Sequence, residues 1–494
     1  MNRPTRPDRP GNKGSPRQGE PVAGPHRRRP DEPPRRVLPS PVVVHAARDA
    51  VCRHISNQAE RFPQLDLHPL VVTGLEPRDA ALAHAISDIV IKRWLTLAYL
   101  LNTRLSQPLE AIEPPLRAAM LVGAAQIFFL DRVPAYAAID HAVEWAKLNI
   151  RPGAGGMVNA VLRRMAELRL DPPEGVRPSY SNKRDKLPLA DGGAVLLATG
   201  VLPDEDAPRV CVATSTPVEL LRDWSTSLGI AAARAIAMHS IGTAPVTLNT
   251  AHAEPSTLPG PELLAPHEKA GCHVFVGEHP ELLETLSQRE DLWVQDASSC
   301  AAVRSIADLK PALIIDLCAG QGTKTRQLCA TFPEAHIIAS DTDERRRAVL
   351  AEVFKSRRQV RVKTPEQTLA EHAGAVGGAD LILLDVPCSN TGVLARRPEA
   401  KYRYSARSIA DLVGIQHSIF EKAMALLSER PASAILYSTC SVDRRENQEQ
   451  VRWVCERSSL TPSREHVALP AGGPGQPPTK YADGAYSVLL TRAR

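Results

Sequence analysis

The sequence predicts two folded parts of different class: an all-α helical bundle, followed by an α/β domain with a doubly wound, largely parallel, Rossmann-like sheet. Three observations carry that prediction. Between about 41 and 170, apolar residues recur at spacings of three and four, as in Leu97, Ala98, Leu100 and Leu101 and in Leu116, Met120, Leu121, Ala124 and Ile127. Such spacing buries one face of each helix in a bundle. From about 291 onward, short apolar runs alternate with helical stretches, the pattern of strand–helix–strand units. Three of those runs end in chemically loaded turns: Leu313-Ile314-Ile315 before Asp316, Leu381-Ile382-Leu383-Leu384 before Asp385, and Ala434-Ile435-Leu436-Tyr437 before Ser438. Residues just past the carboxyl ends of such strands sit where open α/β sheets bind ligands.

The elements follow in order. Residues 1–40 carry nine Arg, Lys13 and ten Pro against four acids. This segment is net +6, so the chain's +5 leaves the remaining residues near −1. A composition of this kind cannot bury a core and is expected to stay disordered. It is either an arm that binds nucleic acid through phosphates or a solvated tail. The bundle over 41–170 is punctuated by Pro114-Pro115, Pro134 and Pro152-Gly153. Residues 171–210, rich in Pro, Gly and Asp with little periodicity, are expected to form a linker or insertion. Over 211–290, helical stretches at 218–228 and 231–238 lead to a β-like Ala244-Pro245-Val246-Thr247-Leu248-Asn249, a small α+β subdomain. Residues 291–494 form the Rossmann-like domain.

At 43% hydrophobic, the 494 residues hold core for two or three domains. No apolar run approaches the 18 residues of a membrane helix, and the polar, Pro-rich start is not a signal peptide. Nine cysteines without a CxxC pair argue against a disulfide framework or a metal cluster. The expectation is a cytoplasmic, monomeric enzyme with reduced thiols and no metal.

The turn after Asp316 reads Leu317-Cys318-Ala319-Gly320-Gln321-Gly322-Thr323-Lys324, a glycine loop that lets backbone approach a nucleotide-like ligand. The next strand ends at Asp341, whose carboxylate suits a ribose diol. No GxGxxG is present, and no hydride-transfer enzyme explains two cysteine motifs. S-adenosylmethionine is the better ligand. Carbon 5 of cytosine is a poor nucleophile, but a thiolate adding to carbon 6 turns the ring into an enamine able to attack a methyl group. An acid must then support charge at ring nitrogen 3, and a base must remove the carbon 5 proton. Cys388, Cys440 and Asp385 at adjacent strand ends could supply these roles. Arg396, Arg397, Lys401 and Tyr402 interleave cations with a ring, a pattern suited to the phosphates and splayed bases of RNA.

Asp385-Val386-Pro387-Cys388-Ser389 and Ser438-Thr439-Cys440-Ser441, with Trp293-Val294-Gln295-Asp296-Ala297-Ser298-Ser299 and Asp483-Gly484-Ala485-Tyr486, resemble the motifs of the RNA 5-methylcytosine methyltransferases of the RsmB/Sun/Fmu type. Residues 112–126, 133–143 and 158–164 resemble NusB and the NusB-like amino-terminal domain found in that family. The resemblance implies a NusB-like, RNA-binding bundle joined to an S-adenosylmethionine-dependent methyltransferase domain acting on 16S ribosomal RNA. It implies Cys440 as nucleophile, Cys388 as the thiol assisting release, Asp385 facing cytosine and methyl donor, and Lys324 in contact with substrate or cofactor.

Three departures stand out. Thr323 replaces a usual glycine, which would loosen cofactor binding if that position needs φ > 0. The stretch Val362-Lys363-Thr364-Pro365-Glu366 lacks the family's aspartate, leaving Glu366 to substitute. Thr247-Leu248-Asn249 lacks an Arg expected to touch RNA. The alternative reading is an RNA-binding, antitermination-like protein whose methyltransferase domain has decayed. A DNA cytosine methyltransferase would instead place its nucleophile in the Pro-Cys motif and carry a Glu-Asn-Val acid, which is absent.

Overall fold

The computed structural model describes residues 46–492 except 66–68, 199 and 375–377, so the tail expected over 1–40 lies outside the described residues. The bundle is built from α1 (Ala46–Arg61), α2 (Pro77–Lys92), α3 (Trp94–Asn102), α4 (Pro114–Phe129), α5 (Ala135–Asn149) and α6 (Ala154–Ala166). The prolines that punctuate the sequence sit at helix starts, where a missing N–H leaves no bond unmade. Helix α4 runs through the centre and is buried nearly all round from Pro115 to Phe128. Its small residues permit that: a Cβ at Gly123 would lie 2.4 Å from Leu162 Cδ1 of α6.

The stretch expected to be a linker or insertion is folded. Strands β1 (Arg169–Leu170), β2 (Lys186–Pro188) and β3 (Ala194–Leu197) make an antiparallel sheet, followed by α7 (Asp206–Thr214). Strands of two to four residues are too short to show an apolar period. Helices α8 (Val218–Leu228) and α9 (Ile230–His239) follow, then β4 (Thr247–Asn249), β5 (Leu264–Pro266), β6 (Cys272–Phe275), α10 (His279–Gln288) and β7 (Trp293–Val294). The four strands form one sheet in the order β5-β6-β4-β7, so Trp293 belongs to this subdomain and not to the Rossmann-like sheet. Helix α11 (Ala297–Arg304) leads out of it.

The large sheet then assembles from β8 (Leu313–Asp316), α12 (Thr323–Thr331), β9 (His336–Ser340), α13 (Glu344–Val353), β10 (Val360–Lys363), α14 (Pro365–His372), β11 (Leu381–Asp385), α15 (Ala400–Arg403), α16 (Ala406–Leu426), β12 (Ala434–Thr439), α17 (Gln448–Arg457), β13 (Leu460–Ala468) and β14 (Ala485–Arg492). Its order is β10-β9-β8-β11-β12-β14-β13, with β14 antiparallel to both neighbours and the other pairs parallel. Strand β11 shows why the run Leu381–Leu384 is continuously apolar. Ile382 and Leu384 pack under α16 and α17 against Phe420, Ala423 and Val451. Leu381 and Leu383 pack on the other face against Val303, Leu328 and Leu350. A central strand covered on both faces needs apolar residues at every position. After β8 the chain moves outward to β9 and β10, then returns to β11 on the other side. The crevice at that reversal is the ligand position of a doubly wound sheet.

Candidate active site

Strand β8 delivers the glycine loop to the reversal point. Gly320 has φ +58° and Gly322 φ +90°, both in the left-handed region, and Gly322 caps α12. A Cβ on Gly322 would lie 2.6 Å from the Phe354 ring, whereas one on Gly320 would meet nothing within 4 Å. The loop is tied to the end of β9: Ala319 N donates to Ser340 O (2.9 Å) and Gly320 N to Asp341 Oδ2 (2.9 Å). Asp341 Oδ1 accepts from Asp343 N at 2.8 Å. Gln321 is exposed at the loop tip. Thr323, the departure expected to loosen the loop, is the first residue of α12 and does not have positive φ, so a β-branched residue there costs little. Glu366 is exposed in the first turn of α14, held by local bonds there rather than at the loop.

Below the loop Asp316 is fully buried; Thr325 Oγ1 donates to its Oδ2 at 2.6 Å, and its Oδ1 has no partner. Burial, aided by Asp385 and Asp341 and opposed by the Thr325 bond and Lys324, raises its pKa to about 7. Desolvation also raises the Cys318 thiol, with the neighbouring carboxylates adding to it. Lys324, on the first turn of α12, reaches across to β11, and its Nζ lies 2.8 Å from Asp385 Oδ2. Burial works against that ammonium, but Asp385, Cys440 and Asp316 together raise its pKa. Ser438 Oγ donates to the other Asp385 oxygen at 3.1 Å.

Strands β11 and β12 are neighbours in register, Asp385 beside Ser438, so the loops after them meet. Cys388 and Cys440 bring their sulfurs to 3.2 Å. Cys388 is buried and Cys440 half-buried. The bond to Cys440, then burial, hold the Cys388 thiol well above the ordinary thiol range. Gly392 N donates to Cys440 O at 2.9 Å, and Gly484 N to Gly392 O at 2.7 Å. A Cβ on Gly392 would sit 2.7 Å from Cys440 O, so this close crossing requires glycine. A cavity of about 50 Å³ beside Cys440 is lined by Lys324, Ser438, Asp296, Ser298 and Asp483. A larger cleft of about 730 Å³, lined by Phe129, Asp191, Gly473 and Tyr481, carries none of the catalytic candidates.

Residues that sequence reasoning missed hold these loops. Glu446 is fully buried; its Oε1 accepts from Ser389 N (2.8 Å) and Gln416 Nε2 (3.2 Å), and its Oε2 from Ser441 Oγ (2.6 Å) and Ser389 Oγ. It therefore bridges the two cysteine motifs. Burial raises its pKa, partly offset by these bonds. Asn447 joins in, accepting from Thr439 Oγ1 at 2.6 Å and donating to Ser441 O at 2.9 Å. Their only sequence signal is proximity to Cys440. Asn249 is buried and donates to Gln295 Oε1 at 2.9 Å, part of an internal network with Trp293 and Gln327.

The cation-and-ring segment requires correction. Lys401 and Tyr402 are buried, not open to RNA. Lys401 Nζ donates to Lys92 O (2.9 Å) and Thr214 O (3.1 Å), the carboxyl ends of α2 and α7, while burial and the neighbouring Arg93 and Lys92 push its pKa well below the ordinary lysine range. Tyr402 Oη meets Ser215 Oγ at 2.9 Å and donates to Ile91 O at 2.7 Å. The segment fastens the catalytic domain to the bundle. Arg396 is exposed but paired: Nε donates to Asp483 Oδ2 (2.7 Å), Nη1 to Pro245 O (3.0 Å), and its guanidinium lies 5.2 Å from the Tyr481 ring centre. Arg397 is exposed, 3.9 Å from Glu399.

The family model of 16S rRNA methyltransferase RsmB/F matches residues 307–469, and that of the NusB family matches residues 46–167. The chain is 30% identical over 435 residues to ribosomal RNA small subunit methyltransferase B of Xanthomonas campestris pv. campestris, covering 85% of this chain and 90% of that one. With the enzyme of the same name from Vibrio cholerae it shares 28% identity, covering 86% and 92%. The crystal structure of PH0851 has the same fold, with a TM-score of 0.64 at 19% identity, covering 90% of this chain and 99% of its own. With a NusB domain, an RsmB/F methyltransferase domain and a 30%-identical relative matched along nearly its whole length, the chain belongs to the ribosomal RNA small subunit methyltransferase B family of RNA methyltransferases.

Proposed function

We propose that the protein transfers a methyl group from S-adenosylmethionine to carbon 5 of a cytosine in 16S ribosomal RNA, through a covalent bond between Cys440 and the base, in the cytoplasm. The observation that carries this reading is the pair of thiols at 3.2 Å beside the Lys324–Asp385 ion pair. The residues present fit the methyl donor: Gly320 faces open space, Asp341 stands at the end of β9, and a buried Asp316 oxygen lacks a partner. The loop 318–324, Asp341 and Asp385 would hold it, and it supplies a methyl group on a sulfonium centre.

The chain's own residues supply the rest. Cys440 loses its thiol proton to solvent and adds to carbon 6 as the thiolate; the S–C bond forms and the electron pair moves toward carbon 5 and nitrogen 3. The Lys324–Asp385 pair supports charge at nitrogen 3. With the donor bound, carbon 5 would take the methyl group as the methyl–sulfonium bond breaks and a neutral thioether leaves, and carbon 5 would still carry its proton. Cys388, held as a thiol in the resting pair, positions the water that removes that proton. Loss of the proton restores the ring double bond and expels the Cys440 thiolate. Arg397 and the bundle are the RNA-binding surfaces in this reading.

Bisulfite sequencing of ribosomal RNA from cells with and without the gene tests it. One small-subunit cytosine should lose protection when the gene is deleted and regain it with the wild-type copy but not with Cys440→Ala. An unchanged pattern would overturn the reading.

A further inference from the structure

Asn390 stands against the nucleophile, and neither the glycine loop nor the ion pair accounts for it. Its φ is +59°, in the left-handed region; Ser215 is the other non-glycine residue with positive φ among the described residues. Its amide nitrogen donates to Cys388 O at 3.0 Å, so the amide cannot turn over without losing that bond. The amide oxygen is thereby presented to Cys440, whose thiol donates to it at 3.1 Å. The same sulfur also lies 3.2 Å from Cys388 Sγ. The segment from 388 to 392 thus grips Cys440 at both its backbone and its sulfur, since Gly392 N also bonds Cys440 O.

We infer that Asn390 is a positioning residue for the nucleophile: its amide oxygen takes the Cys440 thiol proton in a hydrogen bond and fixes the sulfur's rotamer until RNA displaces it. The inference rests on Cys440 being the nucleophile, and it adds a restraint on when that sulfur reacts. The amide oxygen can only accept, so the contact holds the resting S–H in place. The left-handed backbone is what points the amide there. Asn tolerates that conformation better than most residues because its short polar side chain bonds locally.

Alkylation by iodoacetamide reads the sulfur without RNA or methyl donor: a C–S bond forms, iodide leaves, and the thiol proton goes to solvent. The assay uses the full chain in a Cys388→Ser background, with mass spectrometry to score Cys440 alone. Asn390→Gly keeps the left-handed backbone without strain and removes the amide. It should alkylate about two- to tenfold faster at pH 7, the effect of losing one hydrogen bond. Asn390→Asp places a carboxylate there and should be slower by a similar factor; both variants lose the bond to Cys388 O, so opposite changes in rate separate the contact with Cys440 from that shared loss. Equal rates in all three proteins, or two changes of the same sign, would overturn the inference. Its failure is distinguishable from failure of the proposed function: if Cys440→Ala still methylates RNA, the nucleophile assignment falls while the alkylation result stands on its own.

Discussion

Cys388 and Cys440 lie 52 residues apart in the chain, yet their sulfurs are 3.2 Å apart at the ends of neighbouring parallel strands. The two are not equivalent: Cys388 is the more buried and is held as a thiol, while Cys440 also lines the cavity with Lys324. That asymmetry separates their expected phenotypes. Cys440→Ala should abolish methyl transfer and any adduct with RNA containing 5-fluorocytosine. Cys388→Ala should transfer one methyl group and then accumulate a protein–RNA adduct that survives denaturing electrophoresis. The double variant should trap nothing. An adduct in Cys440→Ala and none in Cys388→Ala would reverse the roles.

Glu446 ties both cysteine motifs through Ser389 and Ser441. Removing the carboxylate in Glu446→Ala leaves a buried N–H and two hydroxyls without their acceptor, at about 1–3 kcal/mol each before they relax. The turnover rate should fall by at least tenfold while affinity for S-adenosylmethionine, held by a different loop, stays within about twofold. Calorimetry alongside single-turnover assays distinguishes this from global unfolding, in which both would fall together.

Asp316 sets a pH dependence of stability. Its carboxyl titrates near 7 in the fold against about 3.9 in an unfolded chain. The folded state therefore binds more protons between those values. Its contribution is fully present below about pH 4 and is lost as pH rises through about 7, by at most about 1.4 kcal/mol per pH unit. Asp316→Asn should flatten the urea-midpoint profile between pH 4.5 and 7.5 relative to the parent. Parallel profiles in that window would show that Asp316 ionises as readily in the fold as in the unfolded chain.

Lys401 and Arg397, four residues apart, should fail in opposite ways. Lys401→Ala opens a cavity and strands two helix-end carbonyls, so a loss of about 2–5 kcal/mol is expected. Arg397→Ala changes an exposed position and should leave stability within about 0.5 kcal/mol. It should weaken RNA binding and make the salt slope shallower by about one. Weaker RNA binding by Lys401→Ala at an unchanged melting temperature would contradict the burial of that side chain.

The same segment shows where sequence patterns lose their meaning. Strand β11 is legible because burial on both faces forces every residue from Leu381 to Leu384 to be apolar, and the Asp-x-Pro-Cys turn follows directly. Cations and rings at Arg396–Tyr404 look alike whether they face phosphates or helix-end carbonyls, since both are oxygen acceptors. Only the packing of α15 against α2 and α7 decides between them. Thr323 misleads for a related reason: the positive φ values fall on Gly320 and Gly322, and a one-residue offset moves a position from loop to helix. Glu446 is hard to read in the sequence because its role comes from the loops after two strands and from Gln416 on α16, with proximity to Cys440 as its only local signal.

Asp341 carries the last prediction, and its two oxygens have separate duties. Oδ2 accepts from Gly320 N and holds the glycine loop, while Oδ1 accepts from Asp343 N at the start of the next turn. Oδ2 also lies 3.7 Å from Arg346 Nη1, and each oxygen can accept a second hydrogen bond from a ribose hydroxyl. Asp341→Ala should therefore weaken S-adenosylmethionine by about 1–3 kcal/mol through lost acceptors, and loosen the loop as well. Asp341→Asn retains one acceptor, and whichever N–H the amide nitrogen faces is repelled. Its affinity should fall between those of the parent and Asp341→Ala by calorimetry. Hydrogen exchange at Gly320 separates the two duties. If exchange there speeds up in Asp341→Ala while affinity is unchanged, Asp341 holds the loop but does not bind the ribose. If affinity falls with exchange unaltered, the carboxylate binds the methyl donor directly and the loop is held by Ala319 N on Ser340 O instead.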